Sequence, residues 1–332
     1  MRMLFGILAI AMLVAGSSTM AQSLAGRAGS TVRSEYSPPR TPWGEPDLQG
    51  IYTNADENGT PMEQPADLAG KRLEDFGEKE MAALRADRQK RAQAVARSIG
   101  GSAEEDTGAG PSHWYEHLAA NNSQPWLVFD PPSGKIPPIT AAARQRAAAR
   151  QAARKGRGPA DSWMDRSLYD RCISLGLPGS MTPMIYGNAY DITQGPGFVV
   201  IRYEMIHEAR VIPVGNGPHL PASMKNYMGD ARGRWEGNTL VVETTNFHPL
   251  IAFRGASEKL KVTERFTPMN ANTIRWEIRF DDPDTWEQSW AYAMPLKRDA
   301  EHAPYDYACH GGNRGVANIL SAARAEERSA GK

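Results

Sequence analysis

The chain has 332 residues, the length of one large domain or two small ones. Its 8 Trp, 11 Tyr and 8 Phe supply enough large apolar side chains for a sizeable core, which argues against wholesale disorder. The 38 basic and 38 acidic side chains balance, so the chain lacks the basic excess expected of a nucleic-acid-binding protein.

The first 21 residues have the pattern of a secretory signal peptide. Arg2 supplies a positive charge, residues 4–15 form an apolar run, and small residues follow up to Ala21. The run is shorter than the roughly 20 apolar residues that span a bilayer, and no later segment is longer and equally apolar. We expect cleavage after Ala21, a periplasmic or secreted location, and no integral membrane segment thereafter.

Cys172 and Cys309 are the only cysteines of the chain. In an oxidising compartment they are expected to pair, and closing so long a loop would stabilise the fold by roughly 5 kcal/mol on the chain-entropy model. A nucleophilic thiol or a metal ligand is the alternative. Both are disfavoured because no Cys-x-x-Cys pair is present.

Residues 22–160 are rich in Pro, Ala and Arg and show little alternating apolar pattern. Three Pro-Pro pairs interrupt any continuous helix or central strand. The spacing predicts a surface helix over 78–98 and a second over 141–154 with Thr140 as N-cap. The second helix is rich in arginine but has no interleaved aromatic side chains to stack on bases, so a solvated face is favoured over a nucleic-acid contact.

Residues 161–332 change to short β-type runs separated by turn residues. Strands are predicted over 190–193, 198–206, 210–214, 233–235, 239–247, 259–267, 273–280 and 286–294, before a short helix over 318–327. Such close spacing favours an antiparallel meander, since parallel crossovers need a dozen or more residues. We predict a mainly β fold that closes into a lipocalin-like barrel or curved sheet after an irregular, partly helical N-terminal region, with a sandwich as the alternative.

One predicted strand shows the alternation especially clearly. Ile274, Trp276, Ile278 and Phe280 share one face of residues 273–280, and charged side chains occupy the other. The pattern predicts one dry face and one solvated face.

Motifs for several common chemistries are absent from the sequence. It has no Gly-rich dinucleotide or phosphate loop, no Gly-x-Ser-x-Gly elbow, no paired zincin histidines and no Cys-x-x-Cys-His haem site. We therefore expect no organic cofactor.

Six stretches of the chain have distinctive sequences: residues 40–50, 170–173, 176–181, 203–210, 233–247 and 307–310. Together they resemble a widespread group of exported bacterial proteins with no assigned activity. The resemblance extends from about Arg40 to Glu327. It implies a protein of the bacterial envelope and carries over no catalytic residue.

The densest polar cluster is Glu204, His207, Glu208 and Arg210. On one continuous strand Glu204 and Arg210 would share a face, with His207 on the other. If this carboxylate faces a cavity beside the arginine, the pair could act as a general base and an anion-binding group. If the cluster faces solvent, it forms a row of surface ion pairs without a catalytic role. His310, next to Cys309, is a second candidate acid.

Further candidates lie along the β-rich half. Glu243 and Glu264 interrupt apolar strands, which predicts either a buried Glu–Arg pair or a pocket. The predicted substrate-binding residues are Ser180, Asn246, Arg254, Trp276 and Trp290. A metal site built from His207, His219 and His310 is an alternative, but their wide spacing gives it no positive signal.

These residues lead to two main hypotheses. The first is an exported enzyme that performs cofactor-independent acid–base chemistry, as a lyase, isomerase or hydrolase, on a small, partly apolar molecule. Glu204 would be the base, His207 or His310 the acid, and Arg210 or Arg254 the electrostatic clamp. The second is a lipocalin-like periplasmic binding protein for a lipophilic ligand. A third is a structural envelope protein that docks through its arginine-rich helix.

Overall fold

The computed structural model describes residues 35–99, 121–184, 186–251 and 253–331. The predicted signal peptide lies outside these residues. Within them one antiparallel sheet curls into a nearly closed barrel, preceded by an irregular region of helices and turns. The prediction of a mainly β, barrel-like fold is confirmed.

The strands follow one another along most of the sheet. In chain order they are β1 (Gly50–Thr53), β2 (Val128–Asp130), β3 (Ala189–Gly195), β4 (Phe198–Tyr203), β5 (Ala209–Pro213), β6 (Asp230–Glu236), β7 (Thr239–Thr245), β8 (Lys261–Asn270), β9 (Thr273–Asp281) and β10 (Trp290–Arg298). Their order in the sheet is β5-β4-β3-β1-β10-β9-β8-β7-β6, and β2 pairs with β10 beside this path.

The described residues contain three α-helices: α1 (Glu78–Ile99), α2 (Ala141–Ala153) and α3 (Arg314–Ser329). The predicted N-cap of α2 is confirmed, because the Thr140 hydroxyl accepts a hydrogen bond from the Ala143 amide. Arg146 on α2 docks on the Thr285 hydroxyl at 2.7 Å, so the arginine face is not wholly solvated. None of the helices in the described ranges has the length and apolar character that a membrane crossing requires.

Strand β1 comes from the region in which no strand was predicted. It lies between β3 and β10, with Ile51 opposite Asp191 and Tyr52 opposite Arg298. Such a short strand shows too few alternations to be recognised in sequence. The chain segments on either side of residue 160 therefore share one sheet.

The predicted strand over 198–206 was wrong at its end. Strand β4 stops at Tyr203, and Met205–His207 form a 3-10 turn in which Ile206 has a φ of 60°. The Tyr203 amide closes this turn by donating to the Glu208 carbonyl at 2.8 Å. Glu204 and Arg210 consequently do not share a strand face, contrary to the prediction.

The barrel interior is filled by aromatic side chains from β9 and β10. The predicted dry face is confirmed, since Trp276, Ile278 and Phe280 have no exposed surface. The Phe280 ring stacks on Trp290 at 4.5 Å and lies 5.9 Å from the Tyr292 ring. These rings belong to the apolar core of the barrel, and their burial stabilises the fold.

The two ends of the sheet meet at Gly233 on β6. Val214, just after β5, forms a parallel bridge with Gly233, and the Gly215 amide donates to the Gly233 carbonyl at 2.9 Å. A Cβ at position 233 would lie 3.1 Å from methyl groups of both Ile212 and Val214. Glycine suits this position because a Cβ would make contacts shorter than ordinary van der Waals distances, so the Ile212 and Val214 methyl groups would have to move to admit a side chain.

Gly233→Val is expected to force β5 and β6 apart and to lower the free energy of unfolding by about 1–3 kcal/mol. Chemical denaturation measures this change. Gly217→Val is the matched control, because a Cβ there meets nothing within 4 Å. Equal stabilities for the two variants would contradict closure at Gly233.

Candidate functional site

The predicted disulfide between Cys172 and Cys309 is present, with the two Cα atoms 5.6 Å apart. It joins the segment before β3 to the segment that leads into α3. Cys172 is buried and adopts a left-handed φ of 55°. The bridge therefore anchors the loop that follows it, residues 173–181, at one end of the barrel.

Glu208 holds this loop from the barrel side. One carboxylate oxygen of Glu208 accepts hydrogen bonds from the Leu175 amide at 3.2 Å and from the Ser180 hydroxyl at 3.1 Å. The Met181 carbonyl accepts a further bond from the Asn54 side chain at 2.9 Å. Ser180, predicted to contact substrate, is thus buried and bonded within the protein.

A second segment faces the loop across the barrel mouth. It consists of two 3-10 turns, Pro249–Ile251 and Phe253–Gly255, and Arg254 adopts a left-handed φ of 49°. Gly176 of the first loop packs directly on this segment, because a Cβ there would collide with Ile251. The Phe253 ring stacks on Phe280 at 5.0 Å, which places it over the aromatic stack of the barrel.

Between the two segments lies an open cleft of about 350 Å³. This volume falls within the usual range of small-molecule sites. The lining is mostly apolar: Leu168, Leu175, Leu177, Leu250, Ile251 and Phe253, with Gly179 and the hydroxyl residues Ser167, Tyr169 and Ser174. Its lining residues include no acidic or basic side chain, so the cleft can bind an apolar group but supplies no proton donor or acceptor stronger than a hydroxyl.

Three tyrosine hydroxyls converge beside the cleft. The Tyr169 hydroxyl lies 3.3 Å from those of both Tyr186 and Tyr307. Burial, followed by these hydrogen bonds, raises the pKa of Tyr169 above its usual value. Through these contacts Tyr169 links Tyr186, which follows Cys172 in the chain, to Tyr307, which precedes Cys309.

Arg210 and Glu264 form a buried ion pair inside the barrel. Two nitrogens of Arg210 donate to the two oxygens of Glu264 at 2.5 and 3.0 Å, and Trp276 Nε1 donates to Glu264 at 3.0 Å. Burial lowers the pKa of Arg210, but the combined attraction of Glu264 and Tyr203 outweighs it and raises that pKa overall. Of the alternatives for Glu264, the buried Glu–Arg pair is the one present.

The other predicted acid–base residues have separate partners. Glu204 is buried and accepts hydrogen bonds from the Tyr305 amide at 3.1 Å and the Ala189 amide at 3.3 Å, and it lies 3.2 Å from His302 Nε2. His310 is exposed beside the disulfide. The side chain of His207 lies outside the described residues. The structure thus brings Glu204 to His302, and Arg210 to Glu264.

The remaining residues that were predicted to bind substrate either support the fold or lie at the mouth of the barrel. Asn246 has a φ of 56° and donates to the Leu220 carbonyl at 2.9 Å, which holds the loop before β6. Trp276 and Trp290 are fully buried in the interior stack. Arg254 is exposed beside Phe253, with its guanidinium carbon 5.7 Å from that ring.

Sequence reasoning missed two histidine–carboxylate pairs. Besides His302 with Glu204, His219 Nδ1 lies 2.7 Å from the buried Asp230, and its Nε2 lies 3.5 Å from Glu243. No spacing in the sequence links these residues. Among the side chains that the structure describes, no group of three or more His, Cys, Asp or Glu is arranged to hold a metal ion.

No family model and no curated protein matches this chain.

Glu264→Gln is expected to lower the free energy of unfolding by about 3–5 kcal/mol, because it leaves the Arg210 charge buried without a counter-charge. Replacing both partners, Arg210→Met with Glu264→Leu, should restore much of that loss. Thermal and denaturant unfolding of the parent protein, of Glu264→Gln and of the double variant measure the loss and its recovery. A single variant as stable as the parent protein would show that the pair is dispensable.

Proposed function

We propose that the protein binds a small lipophilic molecule in the cleft at the barrel mouth. The observation that supports this most is the cleft's composition: six of its ten lining residues are Leu, Ile or Phe. Apolar clefts with a few hydroxyl groups are typical of ligand-binding sites. This function corresponds to the lipocalin-like hypothesis, with the ligand at the mouth because aromatic rings occupy the axis.

The exposure of Leu250 supports the same proposal. Its side chain is 61% exposed although it lines the cleft beside Ile251 and Phe253. When a ligand covers a contiguous apolar lining of this kind, apolar surface is removed from water, and this burial makes the free energy of binding more favourable. The disulfide holds one wall and Gly176 permits the close approach of the other, so the cleft is largely formed before a ligand arrives.

The proposed location is the bacterial periplasm or the extracellular medium. It is supported by the Cys172–Cys309 disulfide, which persists in an oxidising compartment, and by the N-terminal sequence pattern. Cell fractionation with an antibody against the mature chain tests it. Recovery of the disulfide-bonded protein in the cytosolic fraction would contradict this location.

Leu250→Glu is expected to weaken binding of N-phenyl-1-naphthylamine, a neutral apolar fluorophore, by at least about tenfold, because a carboxylate would be desolvated in the complex. Fluorescence titration measures the dissociation constant. Val211→Glu, at an equally exposed position on the outer face of β5, is the matched control and should bind as the parent does. A fluorophore that fails to bind, or equal effects of the two variants, would overturn the proposal.

Acid–base catalysis is the second candidate function, and the buried Glu204 beside His302 favours it. A carboxylate in contact with an imidazole is a common general-base arrangement. Native mass spectrometry of the protein purified from its own host would follow any retained molecule over time. Conversion of that molecule, lost in Glu204→Gln, is the expected result for an enzyme; unaltered release would contradict catalysis.

A further inference from the structure

An exposed apolar turn precedes the cleft in the chain. Trp163 and Met164 begin the 3-10 turn Trp163–Asp165, and their side chains are 52% and 62% exposed. The turn is capped, because the Ser162 hydroxyl accepts a hydrogen bond from the Met164 amide at 3.2 Å. It leads directly into residues 167–169, which line the cleft. Two adjacent large apolar side chains that a capped turn keeps in water are typical of a contact surface.

This turn is joined to the end of α2. Arg157, which follows α2, donates to the Asp165 carboxylate at 2.7 Å, and Arg154 donates to the Asp165 carbonyl at 3.4 Å. The guanidinium carbon of Arg171 lies 4.6 Å from the centre of the Trp163 ring. Three arginines therefore lie beside the exposed turn.

Positive charge is concentrated in this part of the chain. Residues 141–171 contain eight basic and three acidic side chains, an excess of five positive charges in a protein whose formal net charge is zero. Two of the three acidic side chains already pair with arginines, Asp165 with Arg157 and Asp170 with Arg166. An anionic surface is therefore attracted to this side of the protein. The exposed basic side chains on α2 and just after it include Arg144, Arg150, Arg154 and Lys155.

The charged helix and the exposed turn both border the mouth of the cleft. Helix α2 packs on the connection between β9 and β10, where Arg146 donates to the Thr285 hydroxyl at 2.7 Å. Arg150 and Ile251 line one small cavity, and Ile251 also lines the cleft beside the exposed Leu250. The same opening is thus bordered by basic side chains, by the turn and by an exposed leucine.

A lipid bilayer with anionic head groups matches both the charge and the apolar side chains. Lys and Arg are attracted to anionic head groups, and tryptophan is enriched at the boundary between water and the bilayer. A nucleic acid would match the charge, but Met164 and Leu250 offer no ring on which a base could stack. A bilayer also dissolves small lipophilic molecules, so contact with it brings such a molecule to the cleft.

We propose that this docking surface, formed by the exposed basic side chains of α2, the turn Trp163–Asp165 and Leu250, binds the protein to a bilayer that contains anionic phospholipids. Trp163 and Leu250 enter the interface, and the basic side chains contact the phosphate groups. The mouth of the cleft then faces the membrane, so a lipophilic ligand passes between bilayer and cleft without crossing water. This passage rests on the proposed binding function, whereas the docking does not.

Vesicle flotation of the mature, disulfide-bonded protein tests the docking. Vesicles of phosphatidylcholine with about one third phosphatidylglycerol should bind the protein at least about tenfold more tightly than vesicles of phosphatidylcholine alone, and added salt should weaken that binding. Equal binding to the two compositions, or binding to neither, would overturn the proposal. Binding to a DNA oligonucleotide in place of the anionic vesicles would assign the surface to nucleic acid and overturn it as well.

A double charge reversal, Arg150→Glu with Lys155→Glu, should weaken binding to the anionic vesicles by at least about tenfold, because it reverses two exposed charges on the docking surface. Arg40→Glu with Arg234→Glu is the matched control. Arg234 lies on β6, and Arg40 donates at 2.9 Å to Asn238 in the turn between β6 and β7, at the end of β7 away from the cleft. This control should bind as the parent does, and equal losses in the two double variants would contradict the proposed surface.

The apolar part of the surface is tested separately. Trp163→Ser should weaken binding to the anionic vesicles by about fivefold or more, because an interfacial ring is lost. Phe198→Ser, which removes a 41% exposed ring at the end of β4 away from the cleft, is its control and should bind as the parent does. Unchanged binding in Trp163→Ser, or an equal loss in Phe198→Ser, would overturn the role of the turn.

A titration with N-phenyl-1-naphthylamine in the absence of vesicles keeps the docking distinct from the binding function. The double charge reversal should bind this fluorophore as the parent does, because neither of its positions lines the cleft. A parent protein that floats with anionic vesicles but does not bind the fluorophore would contradict the binding function and leave the docking intact. The reverse result would overturn the docking alone.

Discussion

The paired charges of Arg210 and Glu264 cross the seam of the barrel. Arg210 lies on β5, at one end of the sheet, and Glu264 on β8, near the other, so their contact requires the sheet to be curled. Each charge is buried, and neither could be buried alone without a cost of several kcal/mol. At the same seam Val214, just after β5, bridges to Gly233 on β6. Hydrophobic burial drives the collapse, and the ion pair joins β5 to β8 across the seam.

The filled interior decides where a ligand can bind. In a hollow barrel a ligand binds along the axis. Here the side chains of Trp276, Phe280, Trp290 and Tyr292 occupy the interior, and the ionisable Glu264 is paired with Arg210. The proposed binding site is consequently displaced to the mouth, where two irregular segments face one another above the aromatic stack. The disulfide and Glu208 hold one of these segments, and the packing of Gly176 on Ile251 sets the distance to the other.

The barrel interior contains both paired and unpaired polar groups. The Arg210 and Glu264 charges satisfy each other, together with Trp276, and belong to the architecture. Trp290 Nε1 and Arg210 Nε, by contrast, have no hydrogen-bond partner among the described residues.

Local patterns in the sequence determined much of this protein: the strand periodicity of β9, the hairpins, the N-cap Thr140 and the pairing of two lone cysteines all depend on neighbouring residues or on a unique partner. Periodicity also marked Glu264 as needing a partner. Only the tertiary structure decided that Arg210 is that partner, that β1 enters the sheet between β3 and β10, and that Glu204 turns toward His302. These contacts join residues far apart in the chain. They depend on strand order, on the strained turn at Ile206 and on the curvature of the sheet, for none of which nearest-neighbour patterns carry a signal.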